Sequence, residues 1–328
     1  MSEIDERMLA LMNIFTPSEM EQRIRVATQG QRFVHYCSAE VAVSIIEKGI
    51  VWLRDAMLMN DYMEFDHGHD CLTHFWNGEG GKHSEALKAV LESFHAGITD
   101  ELAKDFDAWT PVFRNETFIA CMSEHLPDED DIGRLSMWRA YGGNTGVALV
   151  LNNTPFMQFT DAIPAYSFPV DYFYRHQVCE KWAGLTDRLV TNRNLIASLS
   201  REELKNWLRS SMRTTSLCTK HPGFAEEREW RVVFTPRYDD ADGVKKERLT
   251  PEIVVLNGVP QTIYKLGLKN YPDEGLFGAT IPELIHRVII GPTEFGFAIR
   301  RSLVSKLKDA GMADAASRVV ISHIPLRR

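Results

Sequence analysis

The residues best suited to chemistry lie in Glu227-Arg228-Glu229-Trp230-Arg231, which reads as the entry to a strand. Alternate side chains of an extended segment share a face, so Glu227, Glu229 and Arg231 are expected to point together. Two neighbouring carboxylates can titrate apart and take different roles, and an arginine beside them can keep one ionised. The same pattern also suits a solvent-facing edge strand with a salt bridge. His35 and Tyr36 form a second candidate, on opposite faces of an early strand, so at most one of them belongs in a given pocket. A third is Ser136-Met137-Trp138-Arg139-Ala140-Tyr141-Gly142-Gly143, where Trp138 and Tyr141 are neighbours on a helix and make either an aromatic wall or a core wedge.

Asp66-His67-Gly68-His69-Asp70-Cys71, with His74 beyond, has the composition of a metal site. His67 and His69 diverge around a helix, however, and no second cluster of ligands accompanies them, so no metal is assigned. Cys37 and Cys121 sit in apolar strand patterns, where a thiol behaves as a small hydrophobe. The chain has no G-x-S-x-G, no G-x-x-x-x-G-K-[ST] and no G-x-G-x-x-G, which argues against hydrolase-elbow, P-loop and Rossmann chemistry.

Several elements must position these residues. Thr16-Pro17-Ser18-Glu19 predicts a capped helix start, and Arg32 to Cys37 a strand. Ser38 then caps a helix that Gly49 ends, and Ile50 to Leu53 form a second strand. Helices are expected from Asn60 to about Trp76, over Ser84–Phe113 with a break near Gly97, and through most of 171–216, where Ser200-Arg201-Glu202-Glu203 is a capping box. Strands are expected at 117–122, 146–151 and 230–234. Residues 287–290, about 295–309 and 318–322 repeat a strand–helix–strand order. Asp128-Glu129-Asp130-Asp131 reads as a solvated acidic loop. These elements predict an α+β protein, one globular domain over 1–328, with helical segments at about 60–115 and 171–216 and a C-terminal strand–helix–strand at 285–325.

The net charge is -8 at pH 7, which disfavours broad non-specific binding to nucleic acid but leaves room for a local basic groove. No apolar run reaches the roughly 20 residues of a membrane-spanning helix. The charged start Met1-Ser2-Glu3-Ile4-Asp5-Glu6-Arg7 is unlike a secretory signal, and five scattered cysteines without a C-x-x-C pair suit reduced thiols. Together these features predict a cytoplasmic location and no membrane partner.

Taken in order, these segments resemble the bacterial domain of unknown function family DUF2971. The resemblance rests on His35-Tyr36 and the following helix, Asn60-Asp61 with Glu64, Met137-Trp138 through Tyr141 with Gly146, Lys220 with Glu227-x-Glu229-Trp230-Arg231, and Ile289-Ile290-Gly291-Pro292. It extends from about 30 to 325. Tyr62 stands where that family often has proline, and Phe224 where tryptophan is frequent.

The order of motifs is in turn similar to that of ADP-ribosyltransferases, which implies a split mixed sheet with helical insertions and an enzyme that consumes NAD as substrate. By that resemblance Glu229 stabilises the oxocarbenium-like ribose formed when the nicotinamide bond breaks, and Glu227 orients or deprotonates the acceptor. His35 binds the adenosine-side ribose, with Tyr36 also in the cofactor-contacting set. Trp138 or Tyr141 stacks on a ring, and Asn60 and Arg231 support from behind. The reaction implied is ADP-ribose transfer or NAD hydrolysis, in the setting of a bacterial toxin or antiphage defence effector with a partner protein or antitoxin. The acceptor is a nucleic acid, a protein or water. The alternative is a non-enzymatic ligand-sensing or protein-binding module, and an outside alternative is a metal-dependent nuclease built on Asp66, His67, His69 and Asp70.

Overall fold

The computed structural model describes residues 6–59, 64–79 and 81–325. Expectations placed on residues 1–5, Asn60, Asp61 or Tyr62 lie outside the described residues. The strands are β1 Arg32–Ser38, β2 Ile50–Asp55, β3 Phe118–His125, β4 Gly146–Leu151, β5 Tyr166–Pro169, β6 Asp171–Tyr172, β7 Thr219–Lys220, β8 Glu229–Phe234, β9 Leu249–Leu256, β10 Val259–Gly267, β11 Ile285–Ile290 and β12 Val319–Ile321. The main sheet runs β12-β11-β4-β1-β3-β2-β10-β9, with β8 also paired to β3 and β5 to β8. It forks at β3, because β1 pairs with residues 123–125 of β3 and β2 with residues 118 and 119. The protein is α+β, with a mixed open sheet.

The helices Glu64–His74, Lys82–Phe94, Ile98–Asn115, Arg175–Thr191 and Arg201–Leu217 share one apolar core with the helix Glu6–Phe15. Leu72, Leu87, Leu91, Ile98, Val178, Leu189, Leu204 and Leu208 are completely withdrawn from water there. The two helical segments expected from the sequence are thus halves of a single layer. Neither half could bury its apolar stripe without the other.

Local signals account for several boundaries. Ser38 accepts from the Val41 amide at 3.3 Å, and Gly49 closes that helix with φ at 60°. The Ser200–Glu203 capping box is formed in both directions, at 3.2 and 2.7 Å. Thr16 does not cap as expected. A helix already precedes it, and its hydroxyl donates back to the Met12 carbonyl at 3.1 Å. The hairpin β9–β10 lies outside the expected strands, although Asn257-Gly258 marks it; both residues take positive φ, as a tight two-residue turn requires.

Gly68 explains part of the histidine-rich segment. A Cβ at this position would lie 2.4 Å from the Thr215 carbonyl oxygen and 2.8 Å from that of Ser216. Glycine is therefore what lets the helix Glu64–His74 meet the helix Arg201–Leu217 at backbone distance. Gly68→Ala is expected to lower stability by about 1–3 kcal/mol through overpacking, read as a shifted urea midpoint. An unchanged midpoint would show that the helices separate without cost.

Candidate active site at the β8 entry

The chain reaches β8 through the turn Pro222–Glu227, which the Arg134 guanidinium holds by donating to the carbonyls of Glu226 at 2.6 Å and Glu227 at 3.2 Å. Arg228 follows in a left-handed conformation, φ 46° and ψ 50°, which is uncommon for a side-chain-bearing residue. Its guanidinium pairs with Glu129. Glu227 therefore ends a turn, and the strand begins only at Glu229; the expected continuous strand through both glutamates is corrected at this bend. The acidic loop is solvated at Asp128 and Asp131, as expected, but not between them. Glu129 is buried between Arg134 and Arg228, and Asp130 pairs with Arg32 and His125, because cations of the core and the turn need those carboxylates. Burial pushes the Glu129 carboxyl up, but Arg134 and Arg228 outweigh it and hold the group below its ordinary range.

Glu229 and Arg231 do share a face, as period two requires. Arg231 Nε donates to Glu229 Oε1 at 2.8 Å and an Nη nitrogen to Oε2 at 3.1 Å, a two-pronged pair. Lys220, from β7, reaches Glu229 Oε2 at 3.0 Å and Glu227 Oε2 at 2.7 Å. Tyr141 donates its hydroxyl to Glu227 Oε1 at 2.9 Å, and the Glu229 amide donates to the Tyr172 oxygen at 2.8 Å. Two carboxylates thus face two cations, with Glu229, Lys220 and Arg231 buried and Glu227 only partly so, its side chain 18 % exposed.

Burial alone would raise the Glu229 carboxyl, but the charges of Arg231 and Lys220 prevail and hold it well below its usual range, so it is a carboxylate at neutral pH. The Tyr141 phenol moves the other way, raised first by burial and then by the Glu227 charge, and stays a proton donor. The arrangement separates the two glutamates. Glu229 has its oxygens committed beneath the surface, whereas Glu227 stands at the rim, aimed by one phenol and one ammonium.

The structure does not bring every expected residue to this place. Register puts Val34, Ser123 and Glu229 in one row, so His35 lies on the opposite face of the sheet from Glu229. Its Nδ1 donates to the Cys121 carbonyl at 2.9 Å in the fork between β1 and β2, and burial holds its pKa below the ordinary value. The expectation of one pocket holding both His35 and Glu229 is thereby corrected. Tyr36 is on the Glu229 face but is buried, accepting from the Arg134 amide at 2.8 Å and meeting Trp138 edge-on at 4.8 Å. Trp138 is a core wedge with no exposed surface, pressed so near Gly133 and Gly291 that a Cβ at either would fall 2.7 Å from its ring. It cannot stack on a ligand. Asn60 lies outside the described residues.

The aromatic surface available at the rim is a different one. Phe224, in the turn itself, is 40 % exposed, with its ring centroid 5.0 Å from Lys220 Nζ. Tyr174 is also exposed and meets the His221 ring at 5.3 Å. Lys220 and Tyr172 were missing from the expected site. They arrive through the short parallel ladder β6–β7, which no periodicity announces.

His67 bonds to the Phe173 carbonyl, Asp66 pairs with Arg114, and the His69 ring is stacked between Phe65 and Phe106. Among the described residues no group of three or more His, Cys, Asp or Glu side chains is placed to hold a metal ion. None of the five cysteines is in a disulfide, and burial pushes the Cys37 and Cys218 thiols up to about 12. No helix among the described residues is long and apolar enough to cross a membrane.

Residues 137–232, from the Trp138 helix to Val232 of β8, match the family described as protein of unknown function (DUF2971). That stretch contains Tyr141, Tyr172, Lys220, Glu227, Glu229 and Arg231. No curated protein and no solved structure matches the chain significantly.

Proposed function

We propose that the protein consumes NAD at the β8 entry, with Glu227 as the acting carboxylate and Glu229 as the buried residue that positions it through Lys220. The observation that carries this reading is the rim geometry: a partly exposed carboxylate aimed by Tyr141 and Lys220 beside the exposed ring of Phe224. In the reaction the bond between nicotinamide nitrogen and ribose C1′ breaks, and its electron pair leaves with nicotinamide. Positive charge then grows on the ribose, where a fixed carboxylate stabilises it more in the transition state than in the ground state. A lone pair of the acceptor or of water bonds to C1′, and the proton it loses passes to Glu227 and on to solvent. Phe224 offers a face on which a planar ring can stack.

Purified protein incubated with NAD is expected to release free nicotinamide, measured by chromatography with water alone and with DNA, RNA or protein added as acceptor. No release under any of these conditions contradicts the proposal. A second reading, a non-enzymatic binding module, draws on the saturation of Glu229 by Arg231 and Lys220, which suits a structural group. NAD binding without release would favour it.

A further inference from the structure

A cleft of about 540 Å³ lies over the Val232 side of β8, the face opposite Glu229, where the helix Glu6–Phe15, the segment 155–168 and residues 266–284 converge. Its size is that of small-molecule sites, which run from about 300 to 1,000 Å³. A smaller cavity of about 70 Å³ adjoins it, sharing Phe156, Val232, Leu266, Leu268 and Leu284, and prolongs it inward with mostly aliphatic walls. The walls of the cleft are mainly apolar, with Phe159, Tyr166 and Trp207 supplying rings.

Among the described residues, the charged side chains lining the cleft are Glu19, Arg23 and Asp161. Arg23 is not available to an anion. Its Nε donates to Glu19 at 2.8 Å, one Nη to the Phe156 carbonyl at 3.0 Å and the other to the Ser167 carbonyl. With Glu19 neutralised by Arg23, Asp161 leaves the lining with one net negative charge. It is exposed at the edge, where the Tyr166 hydroxyl donates to it at 3.1 Å. Aromatic faces beside a carboxylate favour a cation and repel phosphate.

We propose that this cleft is a binding site for a small organic ammonium ion: an apolar body seated against Phe156, Phe159 and Leu268, and a cationic head facing Asp161. The ligand class differs from a dinucleotide, whose phosphates would find no open cation among the described lining residues. The site lies across the sheet from Glu227 and stands independently of the NAD reading.

The test uses one fluorophore with two heads, dansylcadaverine as the ammonium and dansylglycine as the carboxylate. The ammonium dye is expected to bind saturably with a blue-shifted emission, and the carboxylate dye about tenfold more weakly or worse. Ala165→Trp, which fills the cleft, is expected to weaken the ammonium dye by about tenfold or more, and Asp161→Asn to narrow the preference between dyes about threefold. If Ala165→Trp melts early, Met12→Trp at the rim takes its place. Failure of the ammonium dye to bind overturns the proposal, as does equal or tighter binding of dansylglycine, or wild-type binding by the filling variant. Nicotinamide release, followed in parallel, reads the other site alone.

Discussion

Glu229→Gln is expected to lower the free energy of unfolding by about 3–5 kcal/mol, the usual cost of removing one partner from a buried ion pair. The reason is the company it leaves behind. Arg231 and Lys220 are both buried, and without the Glu229 carboxylate Arg231 keeps the Leu217 carbonyl and Lys220 keeps Glu227, but the buried anion they share is gone. Glutamine keeps the shape and some hydrogen bonding, so the loss reports the charge. Urea unfolding monitored by tryptophan fluorescence measures it, and a midpoint within error of the parent would show that the cations are already satisfied by other groups.

The same pair has a pH signature. Glu229 has a folded pKa below its unfolded value of 4.5, so its contribution is fully present above that value and is lost as pH falls through the folded one. The stability gap between parent and Glu229→Gln is therefore expected to be constant near neutrality and to shrink below about pH 5. A gap that widened on acidification would reverse the sign of the proposed shift.

Parts of this site are legible in the residue string and parts are not, for physical reasons. The shared face of Glu229 and Arg231 follows from the period of a strand, and the Ser38, Gly49 and Ser200 helix boundaries follow from capping chemistry. The Asn257-Gly258 hairpin was equally open to reading, because few other pairs accept two positive φ angles. By contrast, the separation of His35 from Glu229 depends on the register of β1, β3 and β8, and a shift of one residue would reverse it. Nothing near either residue states that register. The burial of Trp138 is set by Gly133 and Gly291, one of them more than 150 positions away. Arg228 in a left-handed conformation is likewise unsignalled, since its turn is held by Arg134 and its side chain by Glu129. It is that bend which puts Glu227 at the rim and Glu229 below.

The division of labour between the glutamates makes Glu227→Gln the complementary variant. Its side chain is partly solvated, and its loss leaves the Glu229–Arg231–Lys220 cluster intact, so stability should change by about 1 kcal/mol or less. In the proposed reaction its carboxylate is nevertheless the group that meets positive charge on the ribose, with Tyr141 and Lys220 fixing its direction. Removing one such electrostatic contact from an active site costs about 100- to 1,000-fold in turnover. The most direct test is the rate of nicotinamide release from NAD by folded Glu227→Gln beside the parent protein. A site that acts through Glu227 predicts release by the parent and a loss of about 100-fold or more in the variant. Equal rates in the two proteins would contradict it.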